Sequence, residues 1–436
     1  MATDTSAPAP TATIVPPSAP PTPPRPAPGS RFAAFRHRDY RLYWFGSFLS
    51  LIGTQMSSVA IGWQVYQLTH NPLMLGLVGL FSVVPMVLFS LYGGVIADAV
   101  DRRKLLLGCQ IVLLGTSATL AITTLSGTIF IGVIFAVAAV QGGVQAFANP
   151  TRSALIPALV PREDLPNAIS LGVTSWQTAA VIGPSVGGLI LGAATRAIGV
   201  NGVGVVYVVD VISFLAVIAA LVLMHTRTAP AEVRDVSLSA AMTGLRFVFG
   251  NPIMRGTMLL DFFATFFGAS MALMPIFATD VLHVGAEGLG FLLAAPSVGA
   301  VLTALIITGL PTIHRQGAAV LWGVAAYGVT WVVFGLTNNY FLALLALAGT
   351  GAADTLSMVM RQTIRQLATP DALRGRMTSV NMIFFMGGPQ LGEMEGSVIA
   401  KYAGAPWAAI TGGLGVLIVT VLVALRSPAV RDYRVD

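Results

Sequence analysis

The chain has 436 residues, of which 55% are apolar and only 10% are charged, and its formal net charge is +6. This composition excludes a soluble domain with a packed core and a charged surface. It is typical of a polytopic membrane protein, in which an excess of cations reflects membrane topology rather than affinity for nucleic acid.

Residues 1–30 consist mainly of Pro, Ala, Ser and Thr. They contain too few large apolar side chains to bury a core, so we predict a disordered cytoplasmic tail. No cleavable signal peptide is recognisable, because the first apolar run is too long and follows a basic cluster. The single cysteine, Cys109, excludes an internal disulfide and a cysteine metal cluster.

Twelve apolar runs follow the tail, and each has about the 20 residues that a membrane-spanning helix needs. The predicted spans are 42–66, 73–96, 105–125, 129–148, 167–191, 203–224, 255–279, 287–308, 317–337, 340–360, 377–400 and 406–425. We therefore predict an all-α membrane protein with twelve transmembrane helices.

The cationic residues test this map. If every run crosses the membrane, 22 of the 24 Lys and Arg residues lie on one side, and only Arg196 and Lys401 lie on the other. Short cytoplasmic loops are enriched in Lys and Arg, so we predict that both termini are cytoplasmic. The predicted location is the inner membrane of a bacterium.

A charged turn joins the second and third runs, beginning at a glycine. Its candidate gate residues are Gly94, Asp98, Asp101, Arg102 and Arg103. Between two membrane helices, this turn belongs at the cytoplasmic surface, and we predict that it forms part of a cytoplasmic gate. The alternative is an ordinary turn whose arginines only fix the topology.

An internal repeat divides the chain into two halves. The block containing Arg152 and Pro161, after the fourth run, matches the block containing Arg361 and Pro370, after the tenth, at a separation of 209 residues. We predict two parallel six-helix repeats, with a site between them. The predicted units are the N-terminal half 31–224, a cytoplasmic connector 225–254 and the C-terminal half 255–436.

The fifth run carries a glycine-proline motif formed by Gly183, Pro184, Gly187 and Gly188. Proline removes a backbone donor and bends a helix, while glycines allow a second backbone to approach closely. The motif predicts a bent helix that packs closely against its neighbour, as a gate would require. The alternative is that the motif serves helix packing alone. The eleventh run repeats the pattern from Gly388 and has Glu393 where the first half has Gly188.

Five acids lie within the predicted helices: Asp210, Asp261, Asp354, Glu393 and Glu395. A charge in the membrane interior is costly, and no Lys or Arg is predicted deep beside these acids. We hypothesise that Glu393 or Asp261 binds and releases a proton, the alternative being a neutral acid hydrogen-bonded between helices. Asp354 is better explained as a structural partner of Arg361. The predicted lining residues for substrate and protons are Gln55, Gln64, Gln145, Asp261 and Glu393.

Several of these segments together resemble the enterobactin-exporter-like branch of the major facilitator superfamily. The similarity covers Arg38–Leu42, Leu49–Gly53, Gln67–Thr69, the Asp98–Lys104 turn, Arg152–Pro161, Gln390–Glu393 and Gly412–Gly413. The resemblance implies a monomer that exports siderophores, drugs or other secondary metabolites in exchange for protons, as a multidrug antiporter does. It also implies that Asp98, Arg102 and Arg103 gate the cavity against the second half.

Three positions depart from that pattern. Ala138 stands where drug antiporters have a helix 4 arginine, Ala99 follows the motif aspartate, and Thr54 replaces a frequent acid. If transport is coupled to protons, another acid must therefore carry them.

Other functional classes fit the sequence less well. The two lysines, Lys104 and Lys401, do not lie in a nucleotide-binding loop, and the acids lack catalytic spacing, so we predict neither a pump, an enzyme nor a cofactor. No metal site is predicted. A facilitator or importer of a small polar nutrient is the main alternative, and a receptor or scaffold is a more distant one.

Overall fold

The computed structural model describes residues 32–226, 246, 248–268, 270–309, 313–369 and 374–434. In these ranges every regular element is helical. The predicted tail 1–30 and connector residues 227–245 lie outside the described residues, so the predicted domain boundaries stay a prediction. The long helices of the first half are α1 (Arg38–Thr69), α2 (Pro72–Ala99), α3 (Arg102–Leu125), α4 (Ile131–Leu159), α5 (Leu165–Ile198) and α6 (Val203–Leu223).

The second half has a corresponding series of helices. They are α7 (Pro252–Phe267), α8 (Gly285–Gly309), α9 (Gln316–Leu336), α10 (Tyr340–Leu367), α11 (Arg374–Ala403) and α12 (Ala405–Arg426). We call the end of the bundle at which α1, α3 and α5 begin the near end. The opposite end, at which these three helices finish, is the far end.

Side-chain caps explain where several helices begin. Asn71 accepts a hydrogen bond from the Leu73 amide at 3.1 Å, and Asp101 accepts one from the Arg103 amide at 2.9 Å. Asn339 caps α10 in the same way. Each cap satisfies an amide that has no partner within its own helix, so polar residues between the apolar runs define the start of the next helix.

The helix packing repeats after six helices. In the first half, α1 packs on α5 and α6, α2 on α4, and α3 on α4 and α6. In the second half, α7 packs on α11 and α12, α8 on α10, and α9 on α10 and α12. The contacts between the halves are also related by a shift of six helices. α5 packs on α8, and its counterpart α11 packs on α2, the counterpart of α8.

The seventh predicted span is interrupted. α7 ends at Phe267, and a 3-10 turn (Met271–Leu273), a short helix (Met274–Ile276) and a π-helical turn (Phe277–Val281) follow it. Tyr327 on α9 packs against the break and donates a hydrogen bond from its hydroxyl to the Gly268 carbonyl at 3.2 Å. The chain after the break lines a cavity between the halves, which is where irregular backbone is tolerated at membrane depth.

Nine segments of the described chain are long and apolar enough to cross a membrane. Leu165–Leu223 counts as one of them although it contains both α5 and α6, whereas α1 and α11 are not among the nine. The chain is thus helical with many apolar spans, and twelve crossings stay a prediction.

The predicted helix ends next to the repeated arginines are wrong. The apolar runs end at residues 148 and 360, but α4 continues to Leu159 and α10 to Leu367. Arg152 and Arg361, which follow the predicted spans, are therefore inside helices. An apolar run indicates only the part of a helix that lies in the hydrocarbon layer. The helix itself continues as long as its backbone hydrogen bonds do.

Candidate transport cavity and its charged neighbours

A cavity of about 480 Å³ lies between the two halves; we call it the central cavity. Most of its wall is apolar, with amide and hydroxyl groups interspersed. Its lining residues are Gln55, Ser58, Val59, Ile61, Gly62, Leu75, Val78, Gly79, Ser82, Ala138, Gln141, Ala180, Pro184, Met271, Ala272, Pro275, Leu293, Ser297, Gln390 and Glu393.

Glu393 is the one titratable residue among those that line the central cavity. It makes no hydrogen bond or ion pair with any residue in the described ranges. Close packing of α2 against α11 positions it, because a Cβ atom added to Gly79 would lie 2.9 Å from Gln390 Oε1 and 3.0 Å from Glu393 Oε2. A larger residue at Gly79 would therefore displace both polar groups.

A smaller cavity of about 230 Å³ continues from the central cavity towards the near end. The two share Gln55, Ser58, Ile61 and Gln141. The other residues of the smaller cavity are Ser50, Leu51, Thr54, Ser57, Leu113, Gln145, Asn149, Arg152, Trp176, Asp210 and Phe214. The two cavities thus adjoin, and polar side chains line both of them from Glu393 to the near-end part of the first half.

Asp210 is the acid of the smaller cavity, and it is 1% exposed. Ser117 on α3 donates from its hydroxyl to Asp210 Oδ2 at 2.7 Å, and Ser213 donates to Oδ1 at 3.2 Å. On α1, a Cβ atom added to Gly53 would lie 2.7 Å from Asp210 Oδ1. Glycine at this position therefore makes the space that the carboxyl occupies between α1, α3 and α6.

Contacts between the halves close the far end over both cavities. Arg196 on α5 and Glu287 on α8 form an ion pair at 2.5 Å, and Tyr66 on α1 donates a hydrogen bond to Asp280. Both side chains of the ion pair are partly exposed, so the pair contributes at most about 1 kcal/mol. The sequence did not predict these contacts. Its only indication of them is a charged residue near the end of a predicted helix, which does not identify the partner.

The predicted glycine-proline motif lies at this closed region. A Cβ atom added to Gly183 would lie 2.4 Å from Gln55 Cβ, and one added to Gly187 would lie 2.9 Å from Met56 Cα. Gly188 faces the other half, because its added Cβ atom would lie 2.7 Å from Gly290 Cα on α8. Pro184, between these glycines, lines the central cavity. The motif thus joins α5 to α1 on one side and to α8 on the other.

The expectation that Asp261 has no cationic partner is wrong. Asp261 is buried on α7, at 3.0 Å from Arg361 Nη2 and 2.9 Å from Arg365 Nη2 on α10. Arg361 also pairs with Asp354 at 3.3 Å. Because α10 continues two turns beyond the predicted span, its arginines reach the depth of Asp261. This carboxylate lines neither cavity, and its two charge-assisted contacts fix α7 to α10.

Gln64 also lies away from both cavities. It is buried in the core of the first half, where its amide nitrogen donates to Thr124 Oγ1 at 3.0 Å. Its amide oxygen accepts a hydrogen bond from the Tyr207 hydroxyl at 2.9 Å. Of the five predicted lining residues, the structure brings Gln55 and Glu393 to the central cavity and Gln145 to the smaller one.

The charged turn between α2 and α3 holds the near end of the first half together. Arg103 donates to the carbonyl oxygens of Leu221 and Val222 at the end of α6, at 2.6 and 2.8 Å. Arg102 donates to the Ala154 carbonyl of α4 at 3.4 Å. The side chain of Asp98 and the surroundings of Gly94 are not among the described features, so a gate contact with the second half stays a prediction.

Residues 29–433 match the protein family described as transmembrane secretion effectors. The chain belongs to that family, within the major facilitator superfamily. It is therefore a multi-pass membrane transporter and not an enzyme. Two relatives of this chain are the enterobactin exporters EntS of Shigella boydii serotype 18 (strain CDC 3083-94 / BS512) and of Escherichia coli (strain K12). Each is 26% identical to it over 402 residues, which cover 91% of this chain and 94% of the relative.

Solved transporter structures share the fold of this chain. A bacterial homologue of the human lysosomal transporter Spinster, in an inward-facing and unoccupied conformation, has a TM-score of 0.70 at 15% identity and covers 92% of this chain and 99% of its own. A bacterial homologue of the iron transporter ferroportin, in an inward-facing state, has a TM-score of 0.69 at 13% identity, with coverages of 90% and 99%. At these identities the likeness shows the fold alone.

Proposed function

We propose that this transporter exports a small amphiphilic solute in exchange for protons, by alternating access. In this proposal all twelve helices cross the inner membrane as two parallel six-helix repeats, and the protein works as a monomer. The near end and both termini are cytoplasmic in this proposal, because the segments assigned to that side from the sequence carry 22 of the 24 Lys and Arg residues. The observation that carries the proposal is a cavity between the halves that is closed at the far end and contains one unpaired carboxyl group.

The size and lining of the central cavity favour a siderophore, a drug or a related secondary metabolite. A volume of about 480 Å³ is in the range of sites for drug-sized ligands. Apolar side chains such as Leu75, Val78 and Met271 would contact the apolar part of the solute, and Gln55 and Gln141 would bind its polar groups. The naming of two relatives as enterobactin exporters supports export of such a molecule.

The coupling group that we propose is Glu393. An ionised carboxylate without a cationic partner is costly at this depth, so Glu393 can bind a proton from one side and release it towards the other. The arginine of drug antiporters is absent, since Ala138 is at that position and lines the same cavity. In the central cavity, one carboxyl group then responds to both the proton and the solute.

Glu393→Gln should reduce gradient-driven accumulation about tenfold or more, because a permanently neutral amide cannot carry a proton. The measurement uses inverted vesicles with an imposed proton gradient and a fluorescent amphiphilic probe. Movement of the probe down its own gradient should persist in the variant. The matched control is Glu395→Gln, which removes an acid from the same helix at a position that lines neither cavity.

Two results would contradict this function. One is accumulation by Glu393→Gln at the wild-type level, which would remove Glu393 from coupling. The other is a wild-type protein that only equilibrates the probe and ignores the gradient. That behaviour would identify a facilitator, the main alternative from the sequence.

A further inference from the structure

We propose that Asp210 is a second proton-binding carboxyl of the transport cycle, which exchanges its proton with water of the near-end compartment through the smaller cavity. The inference rests on the proposed proton-driven export and adds a site to it. Glu393 lies in the central cavity between the halves, whereas Asp210 lies wholly within the first half. The two acids are therefore separate sites on one polar path.

The surroundings of Asp210 are built for a carboxyl group that changes its charge. Its described hydrogen-bond partners are the hydroxyls of Ser117 and Ser213. A hydroxyl can donate to a carboxylate and can also accept from a protonated carboxyl, so both states of Asp210 are accommodated without rearrangement of the backbone. This environment differs from that of Asp261, which two arginines hold as an ionised group.

A third hydroxyl, that of Ser57, also lies beside Asp210. Ser57 lies one helical turn after Gly53 on α1, lines the same cavity, and is 3% exposed. Its buried Oγ atom faces Asp210 and acts on the carboxyl group as a donor, outside ordinary hydrogen-bond geometry. Ser57 therefore adds a third neutral group, and no cation, to the surroundings of the carboxyl.

The access route follows from the cavity lining. Asp210 is at the wall of the 230 Å³ cavity, which joins the central cavity at Gln55, Ser58 and Gln141. These side chains can hold waters between the two acids. A proton that leaves Glu393 thus has a polar path to Asp210 and onward to the near end, and the solute need not enter the smaller space.

Arg152 is the cation that lines the smaller cavity. The side chain lies on α4 and has no hydrogen bond or ion pair with a described residue. From the elements packed around Asp210, α1 and α3 contribute only neutral groups at the carboxyl. On α6 itself, Tyr207 lies one turn away and donates its hydroxyl to Gln64.

Infrared difference spectroscopy of the purified full-length protein between low and high pH tests the proposal without a solute or a gradient. The wild type should show a protonated-carboxyl C=O band that is absent from Asp210→Asn and retained in Glu395→Gln. A band lost only in Glu393→Gln belongs to the other acid. If the Asp210→Asn spectrum has every carboxyl band of the wild type, the proposal is wrong. If the band appears at all pH values, Asp210 is a permanently neutral structural acid, and the proposal is also wrong.

A second variant keeps the carboxyl group and alters only its environment. Ser117→Ala removes a donor that stabilises the ionised form, so the pH midpoint of the Asp210 band should move upward by about one unit. An unchanged midpoint would contradict the assignment. In vesicles, Asp210→Asn should bind the probe as the wild type does but accumulate it about tenfold less.

The two levels of the proposal can fail separately. A wild type that shows the Asp210 band but does not export would refute the proposed function and leave the proton site. A wild type that exports, with Asp210→Asn accumulating the probe equally well, would refute the role of Asp210 and leave the proposed function.

Discussion

Asp261→Asn should destabilise the second half by about 3–5 kcal/mol, because it leaves two buried arginines without their shared carboxylate. Arg361 and Arg365 are only 2% and 3% exposed. Arg361 would keep Asp354, but that carboxylate has a side chain 47% exposed and lies 3.3 Å away. A charge that is buried without its partner is among the few changes expected to prevent stable folding.

Thermal unfolding in detergent measures the effect, with Asp354→Asn as the matched control. Removing Asp354 leaves both arginines in contact with Asp261, so the loss should be about 1 kcal/mol. Asp261→Asn combined with Arg365→Met should recover part of the stability of the single variant, because it removes one of the two buried cations that shared the Asp261 carboxylate. Equal melting temperatures for Asp261→Asn and Asp354→Asn would show that the buried cluster does not hold α7 to α10.

Gly188→Val should abolish export while the protein still inserts into the membrane. A Cβ atom at this position would lie 2.7 Å from Gly290 Cα and 2.8 Å from the Ala286 carbonyl oxygen. Both neighbours are backbone atoms, so no side-chain rotation relieves the overlap, and α5 must move away from α8. We therefore expect the far end to remain open and gradient-driven accumulation to fall to background.

Gly172→Val is the matched control for this variant. Gly172 is on the same helix, and an added Cβ atom would meet no atom within 4 Å. This variant should export as the wild type does, whereas Gly188→Val should not. If Gly188→Val exports at the wild-type rate, the α5–α8 contact is not part of the transport cycle.

The sequence predicts much of this fold because its signals are local. Apolar runs, capping residues and the distribution of cations indicate the order of the helices without knowledge of their packing. The glycine-proline motif was also informative, because glycines that allow close backbone contact must face another helix. The structure places Gly188 against Gly290 of the other half.

The candidate site was harder to predict because it depends on which helix face meets which neighbour. Gln64 and Gln55 are nine residues apart on α1, yet Gln64 is bonded within the core and Gln55 lines both cavities. The partners of Asp261 were missed because they lie on α10, beyond the apolar run. Asp210 shows no sequence pattern that separates it from the other embedded acids. The hydroxyls of α1 and α3 that surround it become neighbours only after packing.

Alternating access by the two halves is the central claim, and electron-spin distance measurements test it most directly. Cys109 is the single cysteine, so Cys109→Ser allows labels to be introduced in pairs. Exposed positions Thr128 and Asn338 report on the far end, and exposed positions Arg162 and Arg315 report on the near end. When probe is added and the pH is lowered, we expect the far-end distance to lengthen and the near-end distance to shorten together. Far-end and near-end distances that both remain constant, or that change in the same direction, would contradict the account.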